Sequence, residues 1–264
     1  MTLISFIQRT LQIFNLHLMK SNTFKEFLDS DFRENSLRRW INGEAKLDLI
    51  KHVNSNLVIS KSQLQQDLLA IWITDPTKEN FFVEFGAADG LEWSNTKVLE
   101  DLGWNGICAE PSKEFRHRLV ENRGCKLDFR AVHQISGQEL DFLDVGVLGT
   151  LIDYAFLDEH SSARKQSKNL YRVETVSLVD LLEFHSAPQH INFISIDTEG
   201  SEFDILKEFD FEKYTFDFLA IEHNHTGSES KIEQLLMSKG YVRVLRETSD
   251  FDCWFLNAKL AHKV

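Results

Sequence analysis

The sequence predicts an α/β fold in which a mostly parallel β-sheet follows a helical extension. From residue 80 onward, short apolar runs alternate with amphipathic stretches, which is the pattern of consecutive βα units. Runs of that length that are apolar on both faces are typical of buried parallel strands. The C-terminal segment "YVRVLRETSDFDCWFLN" differs, since two strand-like runs flank a Ser-Asp turn. That arrangement indicates an antiparallel hairpin at one edge of the sheet.

This pattern divides the chain in two. Residues 20–75 are polar and helix-prone, so we predict an N-terminal helical extension over residues 1–75 and a sheet domain over residues 76–264. The predicted strands of the sheet domain cover residues 81–85, 106–109, 127–132, 191–196 and 217–221.

Residues 3–19 carry apolar side chains at helical spacing. A helix with such a stripe packs on its own domain or on a second copy of the chain, and the second arrangement would give a homodimer. Peripheral contact with a membrane surface is the less favoured alternative, because one Arg and a following Lys are few for binding anionic lipids.

The composition limits the classes of function. The chain has 264 residues, of which 42% are hydrophobic, enough for one substantial core. A net charge of −12 disfavours a nucleic-acid partner, since such a surface would not neutralise a polyanion. The three cysteines lack the spacing of a zinc site or a disulfide framework and suit a reducing compartment. Without a long apolar run or a signal-peptide pattern, we expect a cytoplasmic protein.

The loop after the first predicted strand, Gly86-Ala-Ala-Asp-Gly90, indicates a bound nucleoside. Glycines let the backbone pass close to a ligand, and ligands of open α/β sheets lie at the carboxyl ends of the strands. The second strand ends at Glu110, where a carboxylate can bind the ribose hydroxyls of an adenosine-containing cofactor. A dinucleotide needs G-x-G-x-x-G, whereas here the spacing is G-x-x-x-G with Asp89 inside it. Because that carboxylate would repel a pyrophosphate but suit a sulfonium group, the loop favours S-adenosylmethionine over NAD.

Several blocks of the sequence, taken in order, resemble the FkbM-type methyltransferases. They are "SQLQQDLLAIW", "FFVEFGAADGLEWSNTKVLEDLGWNGICAEPS", "ENRGCKLDFRAV", "ISIDTEGSEFDIL", "AIEHN" and the final "GYVRV…DCWF", which together cover about residues 62–257. The resemblance implies a Rossmann-like class I methyltransferase sheet and S-adenosylmethionine-dependent transfer of a methyl group to a hydroxyl. Members of the family act on hydroxyls of glycans, lipopolysaccharide sugars and polyketides.

The resemblance also implies which residues bind the cofactor. The glycine loop should hold the methionine part, Glu110 the ribose, and Ala131 and Val132, at the end of the third strand, the adenine. The predicted cofactor-binding residues are Glu84, Gly86, Ala87, Asp89, Gly90, Ser94, Asn95, Glu110, Pro111, Ser112, Ala131 and Val132. The family commonly has Asn where this sequence has Ala88.

Polar residues follow the fourth and fifth strands, and they predict the reactive end of the site. The predicted catalytic residues are Asp197, Glu199, Glu222 and His223. The carboxyl ends of parallel strands face one crevice, so these side chains should converge near the transferred methyl group. A hydroxyl needs either a general base, for which His223 or Glu199 is the candidate, or a divalent cation that lowers its pKa. Oxygen ligands from Asp197, Glu222 and Asn224 would suit Mg²⁺ or Mn²⁺.

The sequence gives less information about the methyl acceptor. Residues 146–172 interrupt the βα rhythm and are predicted to cover the substrate, with Tyr154, His160, Arg164 and Tyr171 as residues that could face a sugar. We expect a glycan or nucleotide-sugar acceptor. Two alternatives stay open, namely an NAD-linked sugar oxidoreductase and a non-catalytic Rossmann-like binding module.

Overall fold

A computed structural model describes residues 35–156, 160–224 and 227–264. The predicted helix over residues 3–19, with any dimer or membrane contact that it would make, lies outside the described residues. Residues 35–42 are helical. The later helices are α1 (Leu47–Asn56), α2 (Gln66–Ile73), α3 (Lys97–Asp101), α4 (Arg116–Asn122), α5 (Ser161–Arg164), α6 (Leu178–Phe184), α7 (Glu202–Lys207), α8 (Glu229–Ser238), α9 (Arg246–Ser249) and a closing 3₁₀ turn (Ala261–Lys263). None of the described helices is long and apolar enough to cross a lipid bilayer.

The strands form a main sheet and a smaller second sheet. They are β1 (Phe81–Phe85), β2 (Asn105–Ala109), β3 (Lys126–Asp128), β4 (Ala131–His133), β5 (Glu139–Leu143), β6 (Thr150–Leu151), β7 (Leu170–Ser177), β8 (His190–Ile196), β9 (Thr215–Glu222), β10 (Tyr241–Arg243) and β11 (Asp252–Asn257). Within the described residues, the main sheet has the order β3-β2-β1-β8-β9-β11-β10. Its strands are parallel except β11, which runs antiparallel to both β9 and β10. The predicted fold class, including the antiparallel C-terminal hairpin, is therefore confirmed.

The prediction of one strand over residues 127–132 is wrong. β3 ends at Asp128 and pairs with β2, whereas β4 begins at Ala131 and pairs with β7 in the second sheet, whose order is β4-β7-β5-β6. The Asp128 carboxylate accepts hydrogen bonds from the backbone N–H and the guanidinium of Arg130, which turns the chain between the two strands. Ala131 and Val132 therefore belong to the second sheet and do not end the third strand.

Both faces of the main sheet are buried, as its continuous apolar strands predict. Successive side chains alternate between the two faces. Val83, Ile107 and Ile194 pack with α6, α7 and α8 on one face. Phe82 and Phe193 lie on the other face, among residues of α1 and α2.

The N-terminal helices are packed directly on this sheet. Trp40, in the helical segment before α1, lies 5.6 Å between ring centroids from Trp254 of β11. Leu49 and Leu68 are fully buried in the same apolar cluster as the sheet residues. The division of the chain at residue 75 remains a prediction, but residues on both sides of it share one core.

Candidate active site

The carboxyl ends of β1, β2, β8 and β9 open onto one cavity of about 470 Å³, within the usual range for small-molecule sites. Most of the predicted cofactor-binding residues line it. These are Glu84, Gly86, Ala87, Ser94, Asn95, Glu110, Pro111, Ala131 and Val132. Asp89, Gly90 and Ser112 are not among the described residues on its wall.

Glu84, at the end of β1, is held by a buried arginine that the sequence analysis missed. Arg123, directly after α4, is fully buried, and its Nη1 lies 3.0 Å from Glu84 Oε2. The same carboxylate accepts hydrogen bonds from the Ser94 and Thr96 hydroxyls and from the Asn95 backbone N–H, 2.7 Å away. These donors occupy the lone pairs of Glu84, so this residue positions the loop that follows β1.

Arg123 also binds the rest of this loop. Its guanidinium donates to Ser94 Oγ (3.1 Å), Thr96 Oγ1 (2.8 Å) and the Gly90 carbonyl (3.4 Å), and it pairs with Glu100 of α3. Ser94 Oγ accepts the backbone N–H groups of Thr96 and Lys97, so this hydroxyl stabilises the start of α3 at Lys97. No signal in the sequence identifies Arg123, because its partners lie 23 or more residues away.

Glycine is required at the two positions of the loop for different physical reasons. Gly86 has a φ of 67°, and a Cβ there would lie 2.0 Å from the Asp197 carbonyl, so only glycine lets β1 and β8 approach at this point. Gly90 has a φ of 74° and packs against Leu119 and Arg123. Ala88 has a φ of 46°, a region where Asn is more frequent than Ala, which accounts for the Asn common in the resembling family.

Asp89 and Ser112 stabilise turns next to the cavity. Asp89 Oδ1 accepts the backbone N–H groups of Leu91 and Glu92, and its other oxygen lies 3.5 Å from Arg118. The described partners of this carboxylate are thus the loop amides and Arg118, and its role in cofactor binding stays a prediction. Ser112 donates its hydroxyl to Asp144 and its backbone N–H to Glu110.

Glu110 ends β2 and is buried at the cavity wall. Its Oε2 accepts the Ala88 N–H (2.9 Å) and its Oε1 accepts the Ser112 N–H (2.8 Å), which fixes the carboxylate between the two loops. Burial raises the pKa of Glu110 to about 7, although these two amide donors oppose the shift. No cation among the described residues pairs with it, and each oxygen keeps a further lone pair for a hydroxyl donor.

Three predicted catalytic carboxylates meet at the ends of β8 and β9. Oxygens of Asp197, Glu199 and Glu222 all lie within 4.8 Å of one another, and all three residues line the cavity. Burial raises the pKa of Asp197 to about 7, and its hydrogen bond with Glu222 opposes the shift. Burial and the neighbouring negative charges raise the pKa of Glu222 well above its ordinary value. Such a pair holds either a proton or a cation between its members.

Asn224 and Arg164 contact this carboxylate group. Asn224 Nδ2 donates to Glu222 (2.9 Å) and to Glu199 (3.2 Å), so Asn224 presents its amide nitrogen, not an oxygen ligand. Arg164 Nη2 lies 2.7 Å from Glu199 Oε2. The expected role of Asn224 as a metal ligand would require its amide to turn.

His223 is not among the residues that line the cavity. Because neighbouring residues of an extended chain point to opposite sides, His223 faces away from the cavity while Glu222 faces into it. It lies with Glu229 and Cys253, where the Arg243 guanidinium is 3.7 Å from Glu229. Arg243 and Arg246 therefore supply positive charge beside the Glu229 carboxylate of this second group.

Asp252 is a cavity residue that the sequence analysis missed. It begins β11 opposite Glu222, and its Oδ2 accepts hydrogen bonds from Gln66 (2.8 Å) and Trp254 (3.1 Å). Burial raises the pKa of Asp252 to about 6, against the effect of these two donors. The predicted hairpin could have located it, since an antiparallel strand begins at the edge where its parallel neighbours end.

The segment over residues 146–172 covers one side of the cavity. Residues 146–151 and His160 line the wall, and Thr150 Oγ1 donates to the Thr198 and Glu199 carbonyls. Tyr154 and Tyr171 instead donate their hydroxyls to Asp204 and Asp144. Of the four residues predicted to face a sugar, only His160 lines the cavity.

Backbone strain is concentrated around the cavity. Among the described residues, the non-glycine residues with positive φ include Ala88, Trp93, Glu199, Asn224 and Asp250, all of which line it. Strained residues of this kind persist where the surrounding structure fixes them, and they cluster at functional sites.

The side chains of the cavity suit both ligands that the sequence analysis expects, a divalent cation and a nucleoside cofactor. The carboxylates at the ends of β8 and β9 form an all-oxygen donor set, which suits Mg²⁺ or Mn²⁺. Burial, followed by neighbouring negative charges, raises the pKa values of Asp197 and Glu222. For the nucleoside, residues of the glycine loop and Glu110 line the same cavity, and the buried Glu110 carboxylate has no cation partner among the described residues.

A comparison with known families decides the membership of the chain. The FkbM methyltransferase domain matches residues 84–243, which is more than half of the chain. The chain belongs to this family. The matched FkbM region contains Glu84, Glu110 and the carboxylates at the ends of β8 and β9. No curated protein matches the sequence.

Three solved structures share a distant likeness with this FkbM protein. The ribosomal protein L11 methylase of Lactobacillus delbrueckii subsp. bulgaricus is 13% identical, with 72% of this chain and 74% of that chain covered and a TM-score of 0.39. The precorrin-6y C5,15-methyltransferase of Geobacter metallireducens GS-15 is 10% identical, with coverages of 69% and 77% and a TM-score of 0.34. A SAM-dependent methyltransferase of Aquifex aeolicus is 12% identical, with coverages of 80% and 97% and a TM-score of 0.33.

Replacing Arg123 should unfold the site. We expect Arg123→Met to lower the free energy of unfolding by about 3–5 kcal/mol, because Glu84 would be left buried without its cation. Urea unfolding measures the loss. The control is Arg118→Met, whose half-exposed guanidinium lies 3.5 Å from Asp89, and which should cost under about 1 kcal/mol. Equal small losses in both variants would contradict the central role of Arg123.

The raised carboxylate pKa values predict a pH dependence of stability. A carboxyl whose folded pKa of about 7 exceeds its unfolded pKa of about 4 stabilises the protein at low pH, and this stability is lost as the pH rises from about 4 to about 7. Without divalent cations, the melting temperature should therefore fall between about pH 5 and pH 7. Glu222→Gln should raise it at pH 8 by about 2–8 °C, or about 1–2 kcal/mol.

Thermal unfolding with and without Mg²⁺ checks this prediction. Mg²⁺ should stabilise the wild type more at pH 8 than at pH 6, since protons compete for the same oxygens. Glu121→Gln, an exposed change on α4, should behave like the wild type. A melting temperature that rises steadily with pH would show that these carboxylates are not protonated in the folded protein.

Proposed function

We propose that the protein transfers a methyl group from S-adenosylmethionine to a hydroxyl of a sugar-type acceptor. One observation carries the proposal: a single cavity at the carboxyl edge of the sheet has buried Glu110 on the β2 wall and the Asp197–Glu222 pair at the ends of β8 and β9. Membership of the FkbM family supports methyl transfer. S-adenosylmethionine supplies a methyl group that its sulfonium charge activates.

In this proposal the ends of β1 and β2 bind the nucleoside part. Glu110 accepts hydrogen bonds from the ribose hydroxyls, and its orientation is fixed by the Ala88 and Ser112 amides. Gly86 lets the backbone of the loop approach the methionine part closely. Glu84 and Arg123 act through the loop, because their polar atoms are engaged with it and with each other.

The ends of β8 and β9 deprotonate the acceptor. Asp197, Glu199 and Glu222 would hold Mg²⁺ or Mn²⁺, which would lower the pKa of a hydroxyl bound beside it. Without a cation, the Asp197 carboxylate, whose pKa of about 7 suits a base near neutral pH, would accept the hydroxyl proton. The acceptor oxygen would bond to the methyl carbon as the bond from that carbon to sulfur breaks, and S-adenosylhomocysteine would leave with the electron pair. Glu199 is a weaker base candidate, since Arg164 and Asn224 stabilise its ionised form. His223 lies outside the cavity wall and has no part in this proposal.

Cofactor binding tests the first half of the proposal. Calorimetry should give saturable binding of S-adenosylmethionine and none of NAD. Glu110→Gln should weaken the affinity by about 10- to 100-fold, since charge-assisted hydrogen bonds to the ribose are lost. The wild-type affinity should also fall below pH 7 as Glu110 becomes protonated, and Glu110→Gln should remove this dependence. Glu121→Gln is the matched control, and binding of NAD alone would exclude methyl transfer.

Turnover tests the second half. We expect Asp197→Asn and Glu222→Gln to lower methyl transfer by at least about 100-fold, the usual range for loss of a general base, with S-adenosylmethionine affinity changed by less than about threefold. Chelation should have the same effect if a cation is held there, and added Mg²⁺ should restore activity only in the wild type. Full activity in chelator would exclude the cation and would leave Asp197 as the general base. Full activity in both variants would remove these carboxylates from the reaction.

A further inference from the structure

Trp93 is a large aromatic residue at the cavity wall that the packing of the fold does not use. Its side chain is 55% exposed, although it lines the cavity. Its φ of 60° is rare for a bulky residue and costs conformational energy. Neither burial nor backbone preference accounts for a tryptophan at this position, so its role lies in what the cavity binds.

The backbone on both sides of Trp93 is held in place by hydrogen bonds of the loop. On the N-terminal side, Asp89 Oδ1 accepts the backbone N–H groups of Leu91 (3.0 Å) and Glu92 (2.9 Å). On the C-terminal side, Ser94 and Asn95 are bonded to the buried Glu84 carboxylate. An exposed ring on a fixed backbone is a preformed surface for stacking, because little conformational freedom is lost on binding.

The charge of the cavity wall limits what can lie against that ring. The acidic wall residues are Glu84, Glu92, Glu110, Asp197, Glu199, Glu222, Asp250 and Asp252, and the described wall residues include no Lys or Arg. Arg123 and Arg164 lie behind the wall, bonded to Glu84 and Glu199. A phosphate or carboxylate group would find no lysine or arginine to pair with on the described wall, whereas hydroxyl and ammonium groups would find acceptors.

The adenosine end of the site lies elsewhere on the wall. Glu110, Ala131 and Val132, the residues expected to bind the nucleoside, are 4–5% exposed, whereas Trp93 is 55% exposed. We therefore assign the Trp93 ring to the acceptor, which enters the cavity from solvent.

We propose that Trp93 stacks against the apolar C–H face of a pyranose ring of the acceptor, and that this acceptor is a neutral or amino sugar without phosphate. This inference rests on the proposed function and narrows it, since it disfavours the nucleotide sugars that the sequence analysis left open. The hydroxyl edge of such a ring would reach the acidic wall, and its face the indole.

Matched sugars test the proposal with the full-length protein and methyl-labelled S-adenosylmethionine. The acceptors are methyl glycosides of common pyranoses, their 2-amino-2-deoxy counterparts, their 6-phosphate esters, and the UDP-linked sugars. Label should enter neutral or amino members with kcat/KM at least about tenfold above that of the phosphorylated partner. Trp93→Ala should raise KM for the best acceptor by about 3- to 10-fold with kcat changed less than about twofold, and Trp93→Phe should recover most of the loss.

Two measurements separate failure of this inference from failure of the proposed function. Phe184→Ala, an exposed aromatic on α6, should leave KM unchanged, and calorimetry should show unchanged S-adenosylmethionine affinity in Trp93→Ala. A preference for phosphorylated or UDP-linked sugars, or an unchanged KM in Trp93→Ala, would overturn the inference while methyl transfer stood. A loss of S-adenosylmethionine affinity in Trp93→Ala would show that the ring contacts the nucleoside and not the acceptor. Absence of cofactor binding in the wild type would overturn the proposed function itself.

Discussion

The candidate site depends on one buried ion pair, between Arg123 and Glu84. The two residues come from the connection before β3 and the end of β1, and they are almost wholly removed from water. Burying charges is costly unless every hydrogen-bonding group finds a partner, and here the partners are the hydroxyls and amides of the loop between β1 and α3. The pair therefore fixes the glycine turn, the position of Trp93 and the start of α3 together.

Three other carboxylates of the cavity have no cation paired with them among the described residues to compensate their charge. Glu110, Asp197 and Asp252 are each shifted to a pKa of about 6 to 7, because burial disfavours their ionised forms. A fold gains no stability from such carboxylates at neutral pH. The free-energy cost of burying these carboxylates is offset when a ligand supplies positive charge and hydroxyl donors, as we propose for this FkbM protein. The strained residues around the same cavity have the same explanation.

The structure places some residues differently from the sequence analysis, and the reasons are simple and geometric. His223 follows Glu222 directly, but alternation along a strand sends the two side chains to opposite sides of the sheet. Asp89 lies inside the glycine loop, yet its carboxylate is used by the turn itself. The apolar run over residues 127–132 was long enough for one strand, and a single Asp128–Arg130 contact divides it between two sheets.

The sequence by itself determined the parallel sheet, the antiparallel C-terminal strand, and the residues at the ends of β1, β2, β8 and β9, because apolar periodicity and turn residues are local properties. It also located the glycine loop, Glu110, Asp197 and Glu222. Only the tertiary structure decided which charges compensate one another. Arg123 and Glu84 are 39 residues apart, Arg164 and Glu199 are 35 apart, and Gln66 and Asp252 are 186 apart. Such pairs form because the fold buries both partners in one place, and no local pattern in the chain records that burial.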